Sequence, residues 1–373
     1  MSDVFDYLKW RGDMKFWQAR FCEVDALILT ELTYINHDGL VPESYCDGLV
    51  TVADEARRYN ILHRGEKPSL GAIVPAKIID LFFAAAEAPR YADIGLCGYV
   101  NIVDDDTVEQ FSAVTAKLPD GTVFVGFRGT DDSIVGWKED FQMSFKTPVP
   151  AQHRAAGYLN AAADYFSTVP IRVGGHSKGG NLAVWAAANC RPDVAERIID
   201  VYNMDGPGFL EDFRDRAGYL AIKDKINTIV PEHSVVGMFL EHEGNYRTVK
   251  SSVRGIFQHD GLSWQVIGPR FEYAEDIAPE TKRVNSILSS WIAGMNDEFR
   301  EKFTDAFFGI LYSTNSSTLS ELMNARPALW RAFSSADSET RQALSDGLRM
   351  LLGESGKSIA EWLRTNVNKD DDK

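Results

Sequence analysis

The sequence has no run approaching the ~18 consecutive apolar residues of a membrane span. Its start, Met-Ser-Asp-Val-Phe-Asp-Tyr, lacks the basic and apolar regions of a secretory signal. Positive charge is also short, with 39 Lys and Arg against 54 Asp and Glu and a net charge of −15. Phosphate backbones and anionic lipid surfaces both need a basic face, so neither a nucleic-acid partner nor stable membrane insertion is expected. Cysteine is sparse: Cys22, Cys46, Cys97 and Cys190 lie far apart and form no C-x-x-C pair. That spacing suits free thiols in a reducing cytoplasm, and neither a disulfide framework nor a metal site is expected. What remains is an ordinary globular composition, 45% hydrophobic and 25% charged over 373 residues. A chain of this size can hold one large core and an appendage.

Hydrophobic periodicity changes twice along the chain. Residues 1–105 read as a mostly helical region that packs on or caps the core. In it Val24, Leu27, Ile28, Leu32 and Ile35 fall at helical spacing, and a second apolar stretch runs from Ile73 to Ala88. Residues 106–278 read as the core. Phe111–Leu118 and Thr122–Phe127, joined by Pro119–Gly121, predict a β-hairpin. Val169–Gly174, Ile198–Asn203, Lys225–Val230 and Tyr246–Ser251 predict a mostly parallel sheet, with the intervening helices and loops that crossovers require. Residues 279–367 turn helical again, with apolar stripes such as Ile287, Trp291 and Met295, or Ile359, Trp362 and Leu363. Helix packing is the plain meaning of such stripes. Residues 368–373 are a charge run expected to be disordered.

One short segment carries the chemistry. Gly175–Gly179 (Gly-His-Ser-Lys-Gly) matches G-x-S-x-G, with a short apolar strand before it and an alanine-rich helix after it. A serine on such a strand-to-helix turn has its hydroxyl exposed above the sheet as a nucleophile. The glycines remove Cβ atoms where the two backbones converge, and the helix N-terminus offers free N–H groups to a developing oxyanion. The competing explanation is a glycine-rich turn whose serine merely caps the helix.

A serine hydroxyl needs a base to take its proton. The order serine, acid, histidine leaves His233, His242 and His259 downstream of Ser177. His259 is favoured because its loop, Gly255–Trp264, follows the last predicted strand. The alternative for His259 is a surface histidine in a turn capped with Asp260. The acid is Asp205, which opens Asp205–Phe209 (Asp-Gly-Pro-Gly-Phe), or Glu232, which follows the next strand. Asp205 is preferred, against the alternative that it only holds the Gly-Pro-Gly turn. The oxyanion donors expected are the amide of Lys178 and, from the loop after the hairpin, the amide or hydroxyl of Thr130.

Phe127–Thr130 (Phe-Arg-Gly-Thr), Trp137–Asp140 (Trp-Lys-Glu-Asp) and Gly-His-Ser-Lys-Gly-Gly, in that order, resemble the class 3 lipase group of α/β-hydrolases. The Asp-Gly-Pro-Gly-Phe and Gln-His-Asp segments are similar to a bacterial branch of that group. The resemblance spans about residues 110 to 268. It implies a Ser-His-acid esterase or lipase, with Thr130 as oxyanion residue, Asp140 holding the Thr130 hydroxyl and Trp137 packed beneath. Two positions depart from the group. The lipases place their acid in a loop corresponding to Glu232–Ser234, where Ser234 stands here. Lys178 replaces an apolar residue and is expected to put a charge beside the mouth.

The expectation is therefore an α/β protein with the α/β-hydrolase fold, a mostly parallel central sheet flanked by helices, and helical N- and C-terminal additions. Its expected activity is carboxylic ester hydrolysis through an acyl-Ser177 intermediate on a small-molecule ester or lipid, with no cofactor. A peptidase or amidase with the same residues, and a non-catalytic scaffold of the same fold, are the rival functions. No protein partner is specified.

Overall fold

A computed structural model describes residues 2–238, 240, 245–324 and 326–352. The expected stripe at Ile359, Trp362 and Leu363, the tail 368–373 and His242 lie outside the described residues.

Eight strands form one sheet in the order in which they occur along the chain. They are β1 (Val50–Thr51), β2 (Gly95–Asp104), β3 (Glu109–Lys117), β4 (Val123–Phe127), β5 (Ile171–His176), β6 (Ile198–Met204), β7 (Ile226–Pro231) and β8 (Tyr246–Val249). The pairs from β1 to β4 are antiparallel, and those from β4 to β8 are parallel. Hairpins need only short turns, whereas parallel neighbours need crossovers, and helical segments occupy those between β4 and β7. The fold is thus α/β with a mostly parallel sheet flanked by helices, consistent with an α/β-hydrolase-like fold.

Before β1 come α1 (Val4–Arg11) and α2 (Glu23–Leu32), and between β1 and β2 run α3 (Val52–Leu62) and α4 (Lys77–Glu87). Between β4 and β5 run α5 (Ile134–Gln142) and α6 (Pro150–Tyr165). Then α7 (Lys178–Asn189) and α8 (Pro192–Arg197) lead to β6, and α9 (Ala217–Ile222) to β7. After the sheet follow α10 (Pro279–Ala293), α11 (Asp297–Tyr312), α12 (Leu319–Asn324), α13 (Arg326–Ser335) and α14 (Ser338–Leu352).

The two faces of the sheet bury different helices. Period-2 alternation sends Val125, Phe127, Val173 and Val201 into a core with α6, α7 and α9. Phe124, Tyr202 and Met204 point the other way, into a core with α1, α2 and α4. The expected boundary near residue 106 does not separate two cores. β1 and β2 precede it yet belong to the sheet, and α2 packs on β4, β5 and β6. The N-terminal helices are the second outer layer of the sandwich, because a parallel sheet needs apolar cover on both faces.

That position explains why α2 is buried on every side, polar residues included. Asp25 on α2 receives Arg90 through Nε at 2.7 Å and Nη2 at 2.6 Å, with Tyr7 and Tyr91 hydroxyls at 3.0 and 2.5 Å. A buried carboxylate is tolerable only with partners of this kind. The C-terminal helices dock elsewhere, where α11 packs on α5 through Ile134, Phe308 and Leu311.

Candidate active site

The sharp turn at the end of β5 is built by glycines. A Cβ on Gly175 would lie 2.1 Å from the carbonyl of Gly179, and one on Gly179 would lie 2.2 Å from the Phe127 oxygen. Strand and helix backbones can meet there only without side chains. Ser177 between them takes φ 56° and ψ −134°, a conformation costly for a residue with a Cβ. Its side chain makes no capping bond to α7, which removes the capping explanation of the motif. The turn is held through the backbone, with Ser177 N–H donating to Met204 O at 2.9 Å.

Beyond β6, Asp205 also has a left-handed backbone, φ 51°, and its side chain is fully buried. One carboxylate oxygen receives His259 Nδ1 at 2.6 Å, and the other accepts the Ser234 hydroxyl at 2.5 Å. The turn that follows is held by others. Asn203 Oδ1 accepts Gly206 N–H at 2.9 Å, and Asn181 Nδ2 donates to the carbonyls of Pro207 and Gly208. Asp205 is thereby free to hold the histidine. Ser234 occupies the position where the resemblance puts an acid, and it contributes a hydroxyl to the acid of the neighbouring loop.

His259 ends a short 3-10 turn, Gly255–His259, and its side chain is about a quarter exposed. The adjacent Asp260 caps the next turn through Leu262 N–H at 2.9 Å, so the capping task does not fall on His259. With Nδ1–H donated to Asp205, Nε2 is the ring nitrogen left without a hydrogen-bond partner among the described residues. The ring packs at a tilt against His176, the residue before Ser177, at 4.6 Å between centroids. The other candidates are engaged elsewhere. His233 Nδ1 pairs with Thr281 Oγ1 of α10 at 3.0 Å. Glu232 lies in the field of Lys250, and its side chain makes no hydrogen bond among the described residues.

The loop after β4 passes directly beside the serine. A Cβ on Gly129 would lie 3.0 Å from Ser177 Cβ and 2.6 Å from the His176 oxygen. Thr130 follows, its hydroxyl donating to Asp140 Oδ2 at 2.5 Å. Burial pushes Asp140 up to about 6, opposed by the Lys178 ammonium and by the Thr130 hydrogen bond. The Thr130 methyl abuts Gly136, and Trp137 packs against the Ile134, Phe308 and Leu311 cluster.

Lys178 corrects one expectation. Its side chain is fully buried and does not stand at a mouth. It turns beneath the loop, where Nζ donates to Gln110 O at 2.9 Å and Glu139 Oε2 at 3.0 Å, with Asp140 Oδ1 at 3.7 Å. Glu139 is also met by the amides of Gln110 and Ala151, at 3.0 and 2.8 Å. An ammonium can replace an apolar residue here because this carboxylate is waiting for it, 39 positions away in the chain.

A mostly parallel sheet that ends one strand in a strained serine, and the adjacent strand in a buried carboxylate bonded to a histidine, is of the α/β-hydrolase-like class. The family comparison narrows this. The Mbeg1-like family model matches residues 85–309, more than half of the chain, so the chain belongs to that family, which is associated with lipase-like class 3 proteins. No curated protein and no solved structure gives a significant match.

Proposed function

We propose that the protein is a cytoplasmic serine hydrolase that cleaves a carboxylic ester through an acyl-Ser177 intermediate. The observation that carries this reading is the 2.6 Å bond between Asp205 and His259, whose ring packs against the residue preceding a strained Ser177. In the proposed reaction His259 Nε2 takes the Ser177 proton as Oγ attacks the ester carbonyl. The tetrahedral oxyanion meets the amides of Lys178, at the open N-terminus of α7, and Thr130. His259 then gives its proton to the leaving alkoxide, and water repeats the sequence on the acyl-enzyme to release the acid and restore Ser177. Asp205 steadies the imidazolium, and Ser234 steadies Asp205. Hydrogen bonds to a nucleophile commonly tighten only with substrate bound, so a Ser177 hydroxyl without a partner among the described residues is compatible with this role.

A fluorophosphonate probe tests the reading, because only an activated serine reacts with it. The wild-type protein should be labelled at Ser177 alone and should turn over a p-nitrophenyl ester. Ser177→Ala should abolish both, and His259→Ala should cost several orders of magnitude in kcat. Folded wild-type protein that stays unlabelled would instead favour a non-catalytic scaffold. Turnover of anilides in preference to esters would move the assignment to an amidase.

A further inference from the structure

The family match begins at residue 85, and a residue well before it reaches the centre of the candidate site. Tyr34 lies in the turn that ends α2, and its hydroxyl is 3.0 Å from His176 Nδ1. The other ring nitrogen of His176, Nε2, lies 2.7 Å from the carbonyl oxygen of His259. These two contacts fix every proton. A carbonyl oxygen only accepts, so Nε2 must carry a hydrogen. The neutral ring then has its lone pair on Nδ1, and the Tyr34 hydroxyl must donate to it. Gly129, in the loop after β4, lies against the same phenolic oxygen. Space confirms the closeness, since a Cβ on Gly129 would fall 2.2 Å from the Tyr34 hydroxyl.

The result is a one-directional chain, from Tyr34 O–H to His176 Nδ1 and from His176 Nε2–H to the His259 carbonyl, with Gly129 packed against the Tyr34 oxygen. Gly129 precedes Thr130, His176 precedes Ser177, and His259 is the proposed base. We propose that Tyr34 is a positioning residue that holds the oxyanion loop, the serine turn and the histidine loop in register, a role that rests on the hydrolase reading above. Burial and the neighbouring His259 take His176 down to about 3, so the ring stays neutral, and the chain keeps its direction, throughout the working pH range. Burial likewise holds the Tyr34 phenol well above its usual range, so its proton is always present to donate. Aligned bonds of this kind polarise one another. The N-terminal layer is then more than cover for the sheet, because it supplies the hydroxyl that meets the loop after β4 and, through His176, the serine turn and the His259 loop.

Tyr34→Phe removes only the hydroxyl and keeps the ring. We expect kcat for a p-nitrophenyl ester to fall roughly 10-fold or more, with KM within about threefold; tenfold corresponds to ~1.4 kcal/mol, about one neutral hydrogen bond. A loss confined to Tm, with kcat unchanged per folded molecule, would show a purely structural role and overturn the proposal. The second measurement is the tautomer of His176, read by 15N NMR of histidine-labelled protein. Wild type should show His176 as the Nε2–H form between pH 5 and 9, and Tyr34→Phe should mix the tautomers. Wild-type His176 found as Nδ1–H would overturn the proposal even if Tyr34→Phe does not fold. Failure of the hydrolase reading looks different: the wild-type protein itself would be unlabelled by fluorophosphonate, while the tautomer result would stand.

Discussion

Replacing Asp205 with asparagine keeps the shape of the buried side chain and removes its charge. The carboxylate now receives two donors, Nδ1–H of His259 at 2.6 Å and the Ser234 hydroxyl at 2.5 Å. An asparagine has one oxygen for the two of them. If its NH2 faces His259, the ring must present a lone pair at Nδ1 and move its proton to Nε2, where it can no longer take the Ser177 proton. If its oxygen faces His259, the tautomer survives, but no negative charge offsets the imidazolium formed in the transition state. Either way the loss falls on kcat. The analogous change in a serine protease lowers kcat about 10⁴-fold, equivalent to ~5 kcal/mol. We expect Asp205→Asn to lose two or more orders of magnitude in p-nitrophenyl ester turnover. Glu232→Gln should stay within about tenfold of wild type. The Asp205→Asn fold should survive, since Asn203 and Asn181 hold the following turn without Asp205. Thermal melts should accompany the kinetics. The opposite ranking with both proteins folded would refute the assignment and return the acid to the Glu232 loop. If neither change mattered, Ser177 and His259 would act as a dyad.

Two further expectations concern buried charge. Lys178→Met leaves Glu139 fully buried with only its two amide donors, and breaking such a pair costs ~3–5 kcal/mol. Tm should fall by about 6 °C or more at ~2–4 °C per kcal/mol, and Lys178→Met with Glu139→Gln should recover most of it. A single variant as stable as wild type would show that the pair contributes nothing. Glu31 is buried beside the His259 loop with Oε1 unpartnered, and burial followed by the nearby Asp260 raises its carboxyl well above the usual range. A raised acid favours the folded state while protonated, so its support is full below the unfolded value and is lost as pH rises toward the folded one. Glu31→Gln should therefore be more stable than wild type at pH 8, with the gap shrinking toward pH 4; a gap constant in pH would contradict this sign.

Local sequence determined the elements that need only near neighbours. The β3–β4 hairpin follows from alternating apolar residues and a Pro-Asp-Gly turn, and β5 through α7 from glycines flanking a serine. α2 was legible from its apolar spacing, although it ends at Leu32, earlier than Ile35 suggested. Tertiary structure decided what depends on residues far apart. Asp205 and Glu232 sit at equivalent strand ends in sequence, and only the folded loops bring Asp205 to His259, 54 positions away, while the Glu232 side chain makes no hydrogen bond among the described residues. Lys178 read as an exposed charge because Glu139 could not be seen beside it. Tyr34 carried no motif at all, and it gained meaning only when α2 was laid under the sheet, 142 positions from His176. Periodicity and turn chemistry act within about ten residues, whereas the direction of a buried hydrogen bond is fixed by whichever distant donor the packing delivers.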